Sequence, residues 1–160
     1  MNKNFNQVKQ KIYIDTSVIG GYFDIEFAEY TKPLFDRIIS GEIHMIYSEV
    51  TEGELKEAPE HVKKLIRELP KNNVEFVELT NEAISLATEY IKENVVGKTS
   101  YPDCLHIAIA TLQKVDVLVS WNFKHIVNLK RIRGYNSVNL KSGHGLLEIR
   151  SPKELIDYEE

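Results

Sequence analysis

Short apolar runs separated by helix-length amphipathic segments recur along the chain, and this alternation constrains the fold more than any other feature. Lys11-Ile-Tyr-Ile-Asp15 alternates into an apolar strand that ends on a carboxylate. Ile43 to Tyr47, Val74 to Leu79, Val115 to Val119 and Leu146 to Ile149 read as four more strands. The run Val115-Asp-Val-Leu-Val119 is of the kind buried on both faces of a parallel sheet. Thr16 to Gly21 reads as a turn with capping hydroxyls. Helices are predicted over 26–40 (ended by Gly41), from Ser48 through Glu54, from Pro59 to near Pro70, over 81–94, from Pro102 to Lys114, and over 123–133. The helix from Pro102 is apolar on most of its circumference, which marks it as buried. Strands alternating with helices predict an α/β domain whose mostly parallel sheet is covered on both faces.

A chain of 160 residues suits one domain, here residues 1–160 with a core of about 11–150 and short polar tails. At this length roughly 70% of the unfolded surface can be buried, so no covalent or metal staple is required. The lone cysteine, Cys104, excludes an internal disulfide framework and a multi-cysteine zinc finger, and fits a reducing compartment. Met1 to Lys11 is polar and unlike a signal peptide, and no run approaches the ~18 apolar residues of a membrane span. A cytoplasmic protein is therefore expected.

The net charge of -4 argues against a surface coated for bulk nucleic-acid binding. Charge is unevenly spread, however: residues 121–150 hold six basic side chains against Glu148, a local +5 that leaves -9 elsewhere. An acidic body with a basic strip is suited to hold a cation beside a polyanion, although a solvated helix face has the same pattern.

Chemistry in open α/β sheets gathers beyond the carboxyl ends of the strands. Asp15 lies at one such end, and Ser120 to Asn122 follow another. Glu54 lies on the helix after the second strand, and Asp103 opens the buried helix. Taken singly, Asp15 also fits a helix cap, Asp103 a helix-dipole partner and Glu54 a solvated face. Taken together, the three acids are predicted to meet above one edge of the sheet. Two carboxylates ~5 Å apart at an effective dielectric of ~20 repel by about 3 kcal/mol. Such a cluster must be protonated, solvated or neutralised by a cation, and all-oxygen ligands favour Mg²⁺ or Mn²⁺. The hydroxyls of Thr16, Ser17 and Ser120 are placed to orient ligands or phosphate oxygens.

Other chemistries fit less well. The dinucleotide loop GxGxxG, the phosphate loop GxxxxGK[ST] and the GxSxG elbow are all missing from the sequence. An aspartyl-nucleophile phosphatase needs a second Asp two residues after Asp15, where Ser17 stands. His106 shares a helix face with Asp103, but a satisfied core histidine has the same pattern. Trp121 reads as packing at the sheet end and Cys104 as an inert core residue.

These motifs resemble the PIN domain family, and among its members the VapC-like toxins of prokaryotic toxin–antitoxin pairs. The resemblance spans roughly Lys11 to Leu129. It is carried by Ile12-Tyr-Ile-Asp15-Thr-Ser17, Ser48-Glu-Val-Thr-Glu-Gly-Glu54-Leu, Asp103-Cys-Leu-His-Ile-Ala-Ile-Ala110 and Val117-Leu-Val-Ser120-Trp-Asn122. It selects Glu54 over Glu52. The departure is Asn122, where many members carry aspartate, so the site rests on three carboxylates and is expected to bind metal more weakly. The resemblance implies a three-layer α/β/α sandwich, metal-dependent hydrolysis of RNA phosphodiesters, an antitoxin partner that covers the site, and homodimers.

The leading expectation is a Mg²⁺- or Mn²⁺-dependent endoribonuclease with Asp15, Glu54 and Asp103 as metal ligands and Asn122 assisting. Lys98, Lys124, Lys130 and Arg131 are candidate phosphate contacts. Two alternatives stay open. One is a catalytically weak PIN-like module that binds RNA or protein, and the other is an RNA-processing or DNA-acting nuclease with no toxin role.

Overall fold

The computed structural model describes residues 9–157. Five parallel strands form one sheet in the order β3-β2-β1-β4-β5. They are β1 (Gln10–Ile14), β2 (Ile43–Ser48), β3 (Val74–Val77), β4 (Val117–Val119) and β5 (Ile149–Arg150). β1 is central: Ile12 is in register with Met45 on β2 and with Val117 on β4.

The period-2 alternation of β1 sorts its side chains between two cores. Tyr13 points into the layer formed by α5 (Asn81–Lys92), α6 (Tyr101–Leu112) and α7 (Leu129–Lys141), among Leu86, Tyr90, Ile107 and Tyr135. Ile12 and Ile14 point to the other face, among Ile19, Leu34, Phe35 and Ile38. That face is covered by α1 (Thr16–Gly21), α2 (Ala28–Ser40), α4 (Glu60–Arg67) and α8 (Pro152–Asp157). The short α3 (Glu49–Leu55) follows β2 directly. The result is the expected three-layer α/β/α sandwich. Burial on both faces is why the strand sequences read as nearly unbroken apolar runs.

Several boundaries differ from the sequence reading. Thr16 to Gly21 is a short helix, because the Asp15 side chain caps it by accepting the Val18 N–H. The helix predicted over 123–133 instead begins at Leu129. Residues 123–128 are turns held by Asn122 and Asn128, whose side-chain oxygens accept the N–H groups of His125 and Arg131. The same helix runs on to Lys141 through Gly134, where a Cβ would stand 2.7 Å from Val95. The last strand is displaced to Ile149–Arg150, and β4 is trimmed to Val117–Val119. Part of the expected polar C-terminal tail is α8, which buries Leu155 against the second core. The remainder of both expected tails, residues 1–8 and 158–160, lies outside the described residues. No helix among the described residues is long and apolar enough to cross a membrane.

Candidate active site

Asp15 ends β1 at the carboxyl edge of the sheet, where it is 4% exposed. Both of its oxygens are engaged. Oδ1 accepts from Ser17 Oγ at 2.6 Å and from the Val18 N–H at 3.3 Å, and Oδ2 accepts from Ser120 Oγ at 2.5 Å. Burial pushes its carboxyl above the usual range, while nearby His106 and the two serine hydroxyls pull the other way.

Glu54 reaches the same region from α3. Its Oε1 accepts from Thr16 Oγ1 at 3.0 Å and lies 2.5 Å from His106 Nε2. The side chain is 37% exposed, against 3% for His106. Despite its partial burial, the hydrogen bond and charge of His106, followed by Thr16, hold the Glu54 carboxyl below its ordinary value. Glu52, the rejected alternative, instead lines a separate groove with Tyr47, Leu55 and Lys56.

Asp103, in the first turn of α6, is partly buried and accepts no hydrogen bond from any described residue. Burial raises its carboxyl first and the charge on Asp15 second; Glu54 adds to the rise, while His106 and His125 oppose it. The three acids thus lie within one electrostatic field, although they come from β1, α3 and α6.

The remaining expected residues divide by role. Ser17 and Ser120 hold Asp15, and Thr16 holds Glu54. Ser120 Oγ also accepts the Asn122 N–H at 2.9 Å. The Asn122 side-chain oxygen is committed to the His125 N–H at 2.9 Å, so in this structure it caps its own turn. Lys98, Lys124 and Lys130 are exposed. The Arg131 guanidinium, by contrast, donates to the Val95 carbonyl. Trp121 is a packing residue, stacked on Phe27 at 4.4 Å and donating Nε1–H to Thr31 Oγ1 at 2.9 Å. Cys104 is fully buried, and that burial pushes its thiol up to about 12.

The contact that sequence reasoning missed is His106. It is a satisfied buried histidine, as expected, but one of its partners is a site carboxylate. The ring bridges Glu54 and Tyr13: Nδ1 lies 2.6 Å from Tyr13 Oη, which lies 2.7 Å from Ser48 Oγ. The three-residue spacing from Asp103 carried part of that signal, since it aims both side chains off one face of α6.

A divalent cation fits the site in donor type and in charge. The donors are carboxylate oxygens, and the rise at Asp103 caused by Asp15 and Glu54 is a repulsion that a cation would remove. Placement falls short of a ready three-carboxylate shell. Among the described residues no group of three or more His, Cys, Asp or Glu side chains stands as a metal cluster.

No protein-family model and no curated protein sequence matches the chain. Solved structures share its fold. VapBC2 from Rickettsia felis, solved with a DNA fragment from its promoter, aligns with a TM-score of 0.58 at 14% identity, over 89% of this chain and 98% of that one. FitAcB from Neisseria gonorrhoeae aligns with a TM-score of 0.56 at 14% identity, over the same shares. VapC20 from Mycobacterium tuberculosis, a sarcin–ricin loop cleaving toxin, aligns with a TM-score of 0.55 at 15% identity, over 71% of this chain and 91% of that one. The architecture is therefore the fold that these solved structures have.

Proposed function

We propose that this chain is a metal-dependent endoribonuclease that serves as the toxin of a toxin–antitoxin pair. The observation that carries the reading is the gathering of Asp15 at the end of β1, of Glu54, bonded by Thr16 next to Asp15, and of Asp103, whose carboxyl the charges on Asp15 and Glu54 help to raise. The described fold neighbours support it, since one is a toxin that cleaves the sarcin–ricin loop and another is VapBC2 bound to promoter DNA. The substrate is RNA, the partner is a cognate antitoxin that covers the site, and the assembly is a homodimer in the cytoplasm.

Asp15 and Asp103 are the principal ligands of Mg²⁺ or Mn²⁺ in this reading, with Glu54 completing the set. When bound, the cation supplies Lewis-acid polarisation of the phosphodiester and charge neutralisation. Asp103 is the acid suited to accept a proton from the attacking water. No described residue donates it a hydrogen bond, which leaves its oxygens available to a ligand or a proton. Ser17 and Ser120 keep Asp15 oriented. Lys98, Lys124 and Lys130 supply exposed positive charge for the RNA backbone.

The test incubates purified protein with single-stranded and structured RNA plus Mn²⁺, beside Asp15→Asn and Asp103→Asn. Cleavage by the parent that is lost in both variants is expected; equal cleavage by all three overturns the site assignment. Growth arrest on induced expression, relieved by coexpressing the adjacent small gene, separates a toxin from an RNA-processing enzyme.

A second reading, a catalytically weak PIN-like binding module, is favoured by one observation: the Asn122 side-chain oxygen is spent on its own turn. Calorimetry separates the two readings. Salt-sensitive RNA binding without metal-dependent heat at millimolar Mn²⁺ selects the binding module.

A further inference from the structure

We infer that His106 is a positioning residue for Glu54, and that Tyr13 and Ser48 are its buried support; the functional meaning of this role rests on the nuclease reading above. Glu54 Oε1 already accepts from Thr16 Oγ1 at 3.0 Å, and that same oxygen meets His106 Nε2. The 2.5 Å contact therefore assigns a hydrogen to His106 Nε2, whichever charge the ring carries. A neutral ring then accepts from Tyr13 Oη at Nδ1, and a charged ring donates to it. Tyr13 can serve either way because a hydroxyl both donates and accepts, and its own also meets Ser48 Oγ.

The ring has little freedom to turn away. His106 is 2% exposed and Tyr13 is fully buried, and their rings meet edge to face at 5.6 Å. Ser48 is itself fixed, as the N-cap of α3, by accepting the Val50 N–H at 3.2 Å. The chain Ser48–Tyr13–His106–Glu54 thus starts at the first turn of α3, crosses β1 and α6, and returns to the last turn of α3. It clamps the short helix that carries Glu54 at both of its ends. Both hydrogen bonds that Glu54 accepts from described residues fall on Oε1, which leaves Oε2 as the oxygen for a ligand. An exposed glutamate would otherwise sample several rotamers, and the clamp removes that freedom before any ligand arrives.

The test reads Glu54 directly, in the metal-free protein, by three-bond NMR couplings across its χ1. A single rotamer is expected in the parent. Averaging is expected in His106→Ala, and a single rotamer again in His106→Gln, whose amide N–H can reach the position of Nε2. Tyr13→Phe keeps the core filled, removes only the hydroxyl under the ring, and is expected to average Glu54 in part. Where RNA is cleaved, the rate should fall in His106→Ala and recover in His106→Gln. Glu54 as fixed in His106→Ala and Tyr13→Phe as in the parent overturns the inference. A parent that holds Glu54 in one rotamer but never cleaves RNA overturns the nuclease reading and leaves His106 as the clamp.

Discussion

Ser120 donates its hydroxyl to Asp15 Oδ2 at 2.5 Å across 105 residues of sequence, and Ser120 Oγ in turn accepts the Asn122 N–H. One buried serine thereby ties the acid that ends β1 to the turn that follows β4. Ser120→Ala removes a hydrogen bond that favours the charged form, so the Asp15 carboxyl should rise further above its usual range. RNA cleavage should fall roughly 10- to 100-fold, the usual consequence of losing a residue that orients a metal ligand. Ser120→Thr keeps the hydroxyl and should retain most of the rate. Initial rates at fixed Mn²⁺ across the three proteins check this.

Asp103 and Glu54 should respond to pH in opposite directions in the metal-free protein. The folded-state pKa of Asp103 is raised by burial and by Asp15, so the native state holds its proton longer than the unfolded chain does. Stability is then lost as pH rises from the ordinary carboxylate value of 3.8 through the raised folded value. Asp103→Asn should therefore raise Tm by a few degrees at neutral pH, and the gain should vanish by about pH 4. Glu54 is lowered, chiefly by His106. Its contribution is present above the ordinary value of 4.5 and disappears as pH falls through the folded value. Glu54→Gln should lower Tm at neutral pH and converge with the parent in acid. Melting curves over pH 4–8 decide both, and Mn²⁺ should raise the parent's Tm by more than that of Asp103→Asn.

Gly21 closes α1 against the aromatic cluster below the site. A Cβ there would stand 2.7 Å from Trp121 Cδ1 and Nε1 and 3.1 Å from Thr31 Oγ1. Trp121 cannot yield easily, because it stacks on Phe27 and bonds Thr31. Gly21→Ala should cost about 1–3 kcal/mol of stability through overpacking. It should also disturb Ser17, whose hydroxyl accepts the Trp121 N–H at 2.9 Å. Denaturant unfolding gives the first quantity, and the drop in cleavage relative to Gly20→Ala, where a Cβ meets nothing, gives the second.

Much of this was legible in the sequence because burial on both faces leaves a plain mark. The runs at Ile12 to Ile14 and Val117 to Val119 are apolar at successive positions, as strands covered on both faces are. The places of Asp15, Glu54 and Asp103 in the fold were readable because each stands near the start or end of an element whose pattern is clear. Local chemistry that depends on tertiary contact was not readable. Gly134 looks like a helix breaker until Val95 is packed against it, so the sequence reading ends α7 too soon. His106 read as an ordinary core histidine because its partners, Tyr13 and Glu54, are 93 and 52 residues away. Asn122 read as a weakened ligand, since nothing in Ser120-Trp-Asn122 announces that the amide caps the turn to His125.

The basic residues of the strip should separate by the same tertiary logic. Arg131 donates its guanidinium to the Val95 carbonyl, whereas Lys124 and Lys130 stand in solvent. Arg131→Ala should cost about 1 kcal/mol of stability, from the lost hydrogen bond and the packing of its stem. Its effect on RNA affinity should be small once the protein is folded. Lys124→Ala and Lys130→Ala should leave stability within about 0.5 kcal/mol of the parent, as surface substitutions usually do. If each contacts a phosphate, each should weaken RNA binding and reduce the slope of log affinity against log salt by about 0.7, the single-strand value per phosphate neutralised. Fluorescence anisotropy with labelled RNA over a salt series, paired with Tm, measures both quantities. A salt slope that falls in Arg131→Ala and stays constant in the two lysine variants would reverse the assignment and place the RNA backbone on the α7 side facing Val95.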